Sequence, residues 1–105
     1  MTVRLMDVAR IIRSKNSGPF ELTLDVIFKD RPTFILFRDK ELINTALIAR
    51  LYGVDEKDVS SVIWFDPADA VKATLRRPIP SGAPGDTDIY GAQQHGPLLE
   101  LQWEL

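Results

Sequence analysis

The chain has no cysteine and a single histidine, His95, among its 105 residues. The first absence excludes disulfides, thiolate–zinc sites and thiol nucleophiles, and it is compatible with the cytoplasmic location expected here. No apolar run approaches the length of a membrane span, so no membrane partner is expected. The opening stretch from Met1 to Asp7 has no long apolar core and carries an early acid, unlike a secretory signal. There is no excess of positive charge either: 13 Lys and Arg stand against 15 Asp and Glu, a formal net charge of −2. That balance gives no electrostatic footprint for nucleic acid, and no strand carries the aromatic Lys/Arg-Gly-Phe pattern of an RNA-reading sheet.

The composition, 45% hydrophobic and 27% charged, is that of an ordinary globular protein. A chain of this length is expected to form one domain, 1–105, with enough core to fold without cross-links. No internal repeat marks a solenoid.

Hydrophobic periodicity divides the chain into elements. Residues 6–13 suit a short helix or an irregular lead-in. The run Ser14-Lys15-Asn16-Ser17-Gly18-Pro19 carries turn and loop signals. The strongest strand pattern follows over 20–28, with Phe20, Leu22, Leu24, Val26 and Phe28 alternating against Glu21, Thr23, Asp25 and Ile27. Asp30 is placed to cap a helix over 31–40, with Pro32 in its first turn. Asn44 is placed to cap a second, 45–52, ending at Gly53. Residues 59–65 read as a β-branched and aromatic strand. Asp66-Pro67 breaks it, and 70–76 alternate again. The chain closes with Leu99, Leu101, Trp103 and Leu105 alternating against Glu100, Gln102 and Glu104. The expected fold is α+β: about four strands in a sheet, one face covered by helices, with a hairpin at Asp66-Pro67.

Residues 78–97 hold four of the six glycines, four of the seven prolines and the histidine. They have neither helical nor strand period. A structureless stretch this long is uncommon between regular elements and usually functional or disordered. Its aliphatic and aromatic content, and its return to an alternating segment, favour an ordered site loop.

Four groups of residues have chemistry to offer. Arg13, Ser14, Lys15 and Asn16 combine a guanidinium fork and an ammonium with two hydrogen-bonders, a set that could hold a carboxylate or phosphate or simply form a solvated turn. Asp86 and Asp88 are spaced to face a hard divalent cation. As a calcium loop the stretch fails: with Asp86 first, Gly91 falls correctly sixth, but Pro97 stands twelfth where a bidentate Glu is needed. It is not a P-loop, since no Gly-Lys-Ser/Thr follows, and turn-capping is the plainer role for both aspartates. Metal and cofactor therefore stay open. In the third group, His95 is the one side chain suited to acid–base work near neutral pH, while Gln93 and Gln94 can donate to an oxyanion or carbonyl. No order of residues compels a Ser-His-Asp triad. The fourth group is a polar strand face: Glu21, Thr23 and Asp25 with Lys72, Thr74 and Arg76. If these strands pair, acids and bases meet across the sheet, which most simply makes ion pairs on a solvated face. An open sheet face is also a docking surface for a partner or a second copy.

Three stretches carry a family resemblance: Arg13-Ser14-Lys15-Asn16-Ser17-Gly18-Pro19-Phe20-Glu21-Leu22-Thr23, Phe65-Asp66-Pro67, and the run from Pro80 to His95. Through them the chain, from about Leu5 to Leu101, resembles an uncharacterised bacterial and archaeal domain-of-unknown-function family of short proteins. That family is similar in turn to the ferredoxin-fold domain at the C-terminal end of AtuA-type acyclic-terpene-utilisation proteins. The AtuA-type domains have a Gly-Asp-Lys-Gly-Asp-like turn where Ser14-Lys15-Asn16-Ser17-Gly18 stands here. The resemblance implies a ferredoxin-like fold and a small-subunit role beside a larger AtuA-like protein, in acyl-CoA or carboxylate breakdown. It carries over no catalytic residues.

The expected function is therefore a small subunit or accessory domain of a two-component enzyme, acting by hydratase- or lyase-type chemistry on a small carboxylate or acyl-CoA. Arg13, Ser14, Lys15, Asn16, Gln93 and Gln94 are the expected substrate-binding residues, and Asp86, Asp88 and His95 the expected acid–base or metal-facing groups. The alternative is a non-enzymatic homo-oligomer that binds a small anionic ligand or regulates a partner.

Overall fold

The computed structural model describes residues 1–18, 20–76 and 96–105. Its core element is a four-stranded antiparallel sheet built from β2 (Ala9–Gly18), β3 (Glu21–Phe28), β4 (Val59–Phe65) and β5 (Ala70–Arg76), in the order β2-β3-β5-β4. Two helices, α2 (Arg31–Asp39) and α3 (Thr45–Tyr52), connect β3 to β4. A separate two-stranded ribbon pairs β1 (Thr2–Arg4) with β6 (Gln102–Glu104). A single helical turn, α1 (Leu5–Val8), links β1 to β2. The architecture is α+β, as expected, and is compatible with a ferredoxin-like sandwich.

The helices begin and end for local reasons. The Asp30 carboxylate accepts the Thr33 amide at 2.9 Å, and Pro32 occupies the first turn of α2, where a missing N–H costs nothing. The Asn44 side chain accepts the Leu47 amide at 2.9 Å to start α3. Gly53 ends that helix at φ 66°, a left-handed conformation that glycine adopts without a Cβ penalty.

The core lies between the helices and one sheet face. Leu22, Leu24, Val26 and Phe28 from β3 and Val71, Ala73 and Leu75 from β5 are all buried. Above them sit Phe34 and Phe37 from α2, both at 0% exposure, and Leu47, Ile48 and Ala49 from α3. Aromatic rings tie the layers together. Phe28 meets Phe37 with ring centres 5.0 Å apart, and Phe34 meets Trp64 edge-on at 6.0 Å. Trp103 of β6 stands edge-on to Phe37 at 4.9 Å, which fastens the terminal ribbon to α2. Leu5, Leu98 and Leu101 complete the seam below the ribbon, where the Leu5 amide donates to the Leu101 carbonyl at 3.0 Å.

Two expectations for the chain's ends are corrected. Residues 14–18 form the second half of β2, not a turn. Four register pairs against β3, Ser14↔Leu24, Lys15↔Thr23, Asn16↔Leu22 and Gly18↔Glu21, hold them extended. Strand preference depends on such non-local pairing more than on the residue itself. The alternating C-terminal segment is a 3₁₀ turn, Gly96–Glu100, followed by a short strand that joins β1 instead of the main sheet. The fourth strand of the sheet is therefore β2. Phe20, expected to face the core, precedes β3 and is 48% exposed.

The β4–β5 hairpin is clasped to α2 by an ion cluster. Arg31 donates to the Asp69 carboxylate at 2.7 Å and to the Asp66 carbonyl at 2.6 Å; Arg38 donates to the Asp66 carboxylate at 3.0 Å. Both guanidinium groups also lie over the Phe34 ring, at 5.4 and 5.6 Å. Hydrogen bonding from Arg38, reinforced by Arg31, holds the Asp66 carboxyl below the usual carboxylate range. A carboxyl depressed in the folded state adds stability that is present above its unfolded value, near pH 4, and lost as pH falls through the folded value. Asp66→Asn is therefore expected to be less stable than the parent at pH 7, and the difference should shrink steadily below about pH 4. Paired thermal melts across that range check it. A difference that stays constant with pH would show that the clasp acts through shape and not charge. Because the cluster is half-exposed, the effect is screened and modest.

Candidate functional site

Opposite the helices, no helix or strand among the described residues covers the sheet, and the composition of that face follows from register. Directly paired residues in an antiparallel sheet point to the same side. Three rows result. Ile11, Ile27, Ala70 and Phe65 make an apolar row. Arg13, Asp25, Lys72 and Ile63 make a charged row beside it. Lys15, Thr23, Thr74 and Ser61 make a polar row beyond. Adjacent rows lie two residues apart along each strand, roughly 7 Å.

An irregularity in β2 sets this arrangement. Ala9 pairs with Phe28, but Ile11, not Arg10, pairs with Ile27. The extra residue is a β-bulge, and a one-residue slip exchanges the two faces of a strand. Without it Arg13 would stand opposite Leu24 and point into the core. With it Arg13 and Lys15 join Asp25 on the open side, while Ile12 and the buried Ser14 turn inward.

The rows enclose a trough of about 530 Å³, within the size range of small-molecule sites. Its polar lining is Arg13, Lys15, Lys72 and Asp25; its apolar lining is Ile27, Ile63, Phe65, Ala68 and Ala70. Three cations against one carboxylate leave a formal charge of +2 there, although the chain as a whole carries −2. Arg13 donates through Nε to Asp25 at 3.2 Å. Its terminal Nη pair has no partner among the described residues, and neither does the ammonium of Lys15 or Lys72. Asp25 is only 16% exposed at its side chain, so it is a partly desolvated anchor for the 62%-exposed Arg13 side chain. Ile63 and Phe65 are more than half exposed, an uncommon investment of large apolar side chains at a surface.

The expected binding group Arg13, Ser14, Lys15 and Asn16 is thus divided by strand alternation. Arg13 and Lys15 line the trough; Ser14 and the half-buried Asn16 lie on the helix side, across from Leu24 and Leu22. The polar faces of β3 and β5 do meet, with Glu21↔Arg76, Thr23↔Thr74 and Asp25↔Lys72 in register. The ion pair that forms at Asp25 is with Arg13 of β2. Asp86, Asp88, Gln93, Gln94 and His95 lie outside the described residues. Among the described residues no three His, Cys, Asp or Glu side chains come together as a metal site, and no helix is long and apolar enough to cross a membrane.

The apolar lining carries no motif in the sequence. The signal for it is parity. Ile27 breaks the polar alternation of β3, and β4 carries large apolar residues on both faces, Val62 and Trp64 inward, Ile63 and Phe65 outward.

Fold and trough together define an α+β sandwich with a cationic, partly apolar recess on the sheet face away from the helices. The chain belongs to the family described as Domain of unknown function (DUF4387), whose model matches residues 5–102. No curated protein and no solved structure matches it.

Proposed function

We propose that this protein is a small accessory subunit of a two-component enzyme, and that its open sheet face holds the anionic end of a small carboxylate or acyl-CoA. The observation that supports the reading is the trough: Arg13, Lys15 and Lys72 converge on one recess, and only one of the three is ion-paired among the described residues. A guanidinium fork and two ammonium groups provide charge-assisted hydrogen bonds to a carboxylate. In this reading a larger subunit of the AtuA-like kind carries the hydration or lyase chemistry, and Asp86, Asp88 and His95 are the acid–base groups this chain contributes. Gln93 and Gln94 assist in holding the substrate.

The test is thermal unfolding of the purified protein in rising concentrations of butyrate, with sodium chloride held at matched ionic strength. A ligand that binds only the folded state raises the melting temperature with concentration. Melting temperatures that follow ionic strength alone would sink the proposal.

A second reading, a non-enzymatic oligomeric or regulatory ligand-binding module, draws on the exposed Ile11, Ile63 and Phe65 of the same face, which suit contact with another protein surface. Native mass of the tagged protein from its own lysate separates the two. A stoichiometric larger subunit favours the first reading, and a homo-oligomer alone favours the second.

A further inference from the structure

We infer that the trough selects an amphiphilic monoanion, with a planar carboxylate at the charged row and a short alkyl body lying across the apolar row. The inference rests on the anion-binding reading above and narrows it to a ligand class.

Arg13 and Lys72 set the head. Asp25 occupies Arg13 through Nε only, so the two Nη groups are left as a flat fork. That fork matches a carboxylate, and Lys72, in register with Asp25 on the other side, supplies a point charge. The same Asp25 disfavours a doubly charged head. Its carboxylate sits inside the trough and repels a phosphate dianion more strongly than a carboxylate monoanion.

The tail follows from the neighbouring row. Ile27 and Ala70 form its floor, and Phe65 closes it from the sheet edge. Ile63 stands in the charged row and carries the apolar wall up to the head. A carboxylate beside Arg13 and Lys72 therefore has its alkyl chain within roughly 7 Å of an apolar surface, in one direction only. In the other direction the row is Lys15, Thr23, Thr74 and Ser61, which is polar and, with Thr23 buried, offers little apolar area. Burying a methylene against such a surface tightens binding by about fourfold when complete and by about twofold when half complete.

The experiment is isothermal titration of the full chain with acetate, butyrate, hexanoate, hexanamide and inorganic phosphate at pH 8 and constant ionic strength. Hexanoate is expected to bind roughly tenfold to thirtyfold more tightly than acetate. Hexanamide, with the tail but no charge, and phosphate, with charge but no tail, should bind weakly. Phe65→Ser and Ile63→Ser, both at exposed positions, should weaken hexanoate severalfold and acetate distinctly less. Equal affinity for acetate and hexanoate would overturn the inference while leaving the anion site in place. Phosphate binding as tightly as hexanoate would overturn the choice of head in the same way. Failure of every anion to bind would overturn both this inference and the proposed function.

Discussion

Replacing Phe34 by alanine is expected to cost roughly 3–5 kcal/mol and to lower the melting temperature by roughly 15–30 °C. The ring is fully buried and stands between layers. Phe28 lies 6.2 Å away on the sheet below, Trp64 6.0 Å away on β4, and the guanidinium groups of Arg31 and Arg38 cover its outer side. Removing it loses the transfer free energy of a large side chain and leaves a cavity that rigid neighbours cannot fill. It also removes the aromatic face on which the Arg31–Asp66–Arg38 clasp is seated, so the hairpin loses support from the same substitution. A domain of this size has only about 5–15 kcal/mol in hand. Thermal and denaturant unfolding measure the effect. A loss under about 1 kcal/mol would mean that α2 is not packed on the sheet as described.

Lys15→Gln and Lys72→Gln are each expected to weaken carboxylate binding about tenfold, and together roughly a hundredfold, with the fold intact. Both ammonium groups are exposed and unpaired among the described residues, so neutralising them removes no structural contact. What is lost is a charge-assisted hydrogen bond to the ligand, and hydrogen bonds to charged groups contribute about 1.5–3 kcal/mol each. Arg76→Gln is the control. Arg76 stands on the same open face and carries the same charge, but it lines the recess with Glu21, Lys57, Asp58 and Ser60 instead. Its loss should change carboxylate affinity by less than about twofold, since charges farther than about 10 Å are screened at moderate salt. Titration calorimetry on the three variants decides the matter. Equal weakening by all three would point to diffuse attraction by the whole face and not to a site.

How far the sequence discloses this protein depends on whether a residue's partners are local. The caps at Asp30 and Asn44 and the stop at Gly53 are local chemistry, and the helices they bound are legible. The alternation of β3 and β5 is equally direct, because one face of each meets the core. Segment 14–18 is the counterexample. Its serines, asparagine and glycine carry the signature of a turn, yet the partner that holds them extended lies on β3 and is invisible to a local reading. The residues of the proposed site are half legible for the same reason. Arg13 and Lys15 stand out by type, but the bulge that turns them to the open face, and the Ile27, Ile63 and Phe65 that meet them there, become apparent only once the register is known.

The central claim is that the ligand site is the trough on the open sheet face. Amide chemical-shift mapping during titration with hexanoate tests it most directly. The account predicts saturable shifts at Arg13, Lys15, Asp25, Ile27 and Lys72, with α3 unmoved, and their disappearance in the Lys15→Gln, Lys72→Gln double variant. Saturable shifts that leave β2, β3 and β5 untouched and cluster at α3 or within residues 77–95 would contradict it.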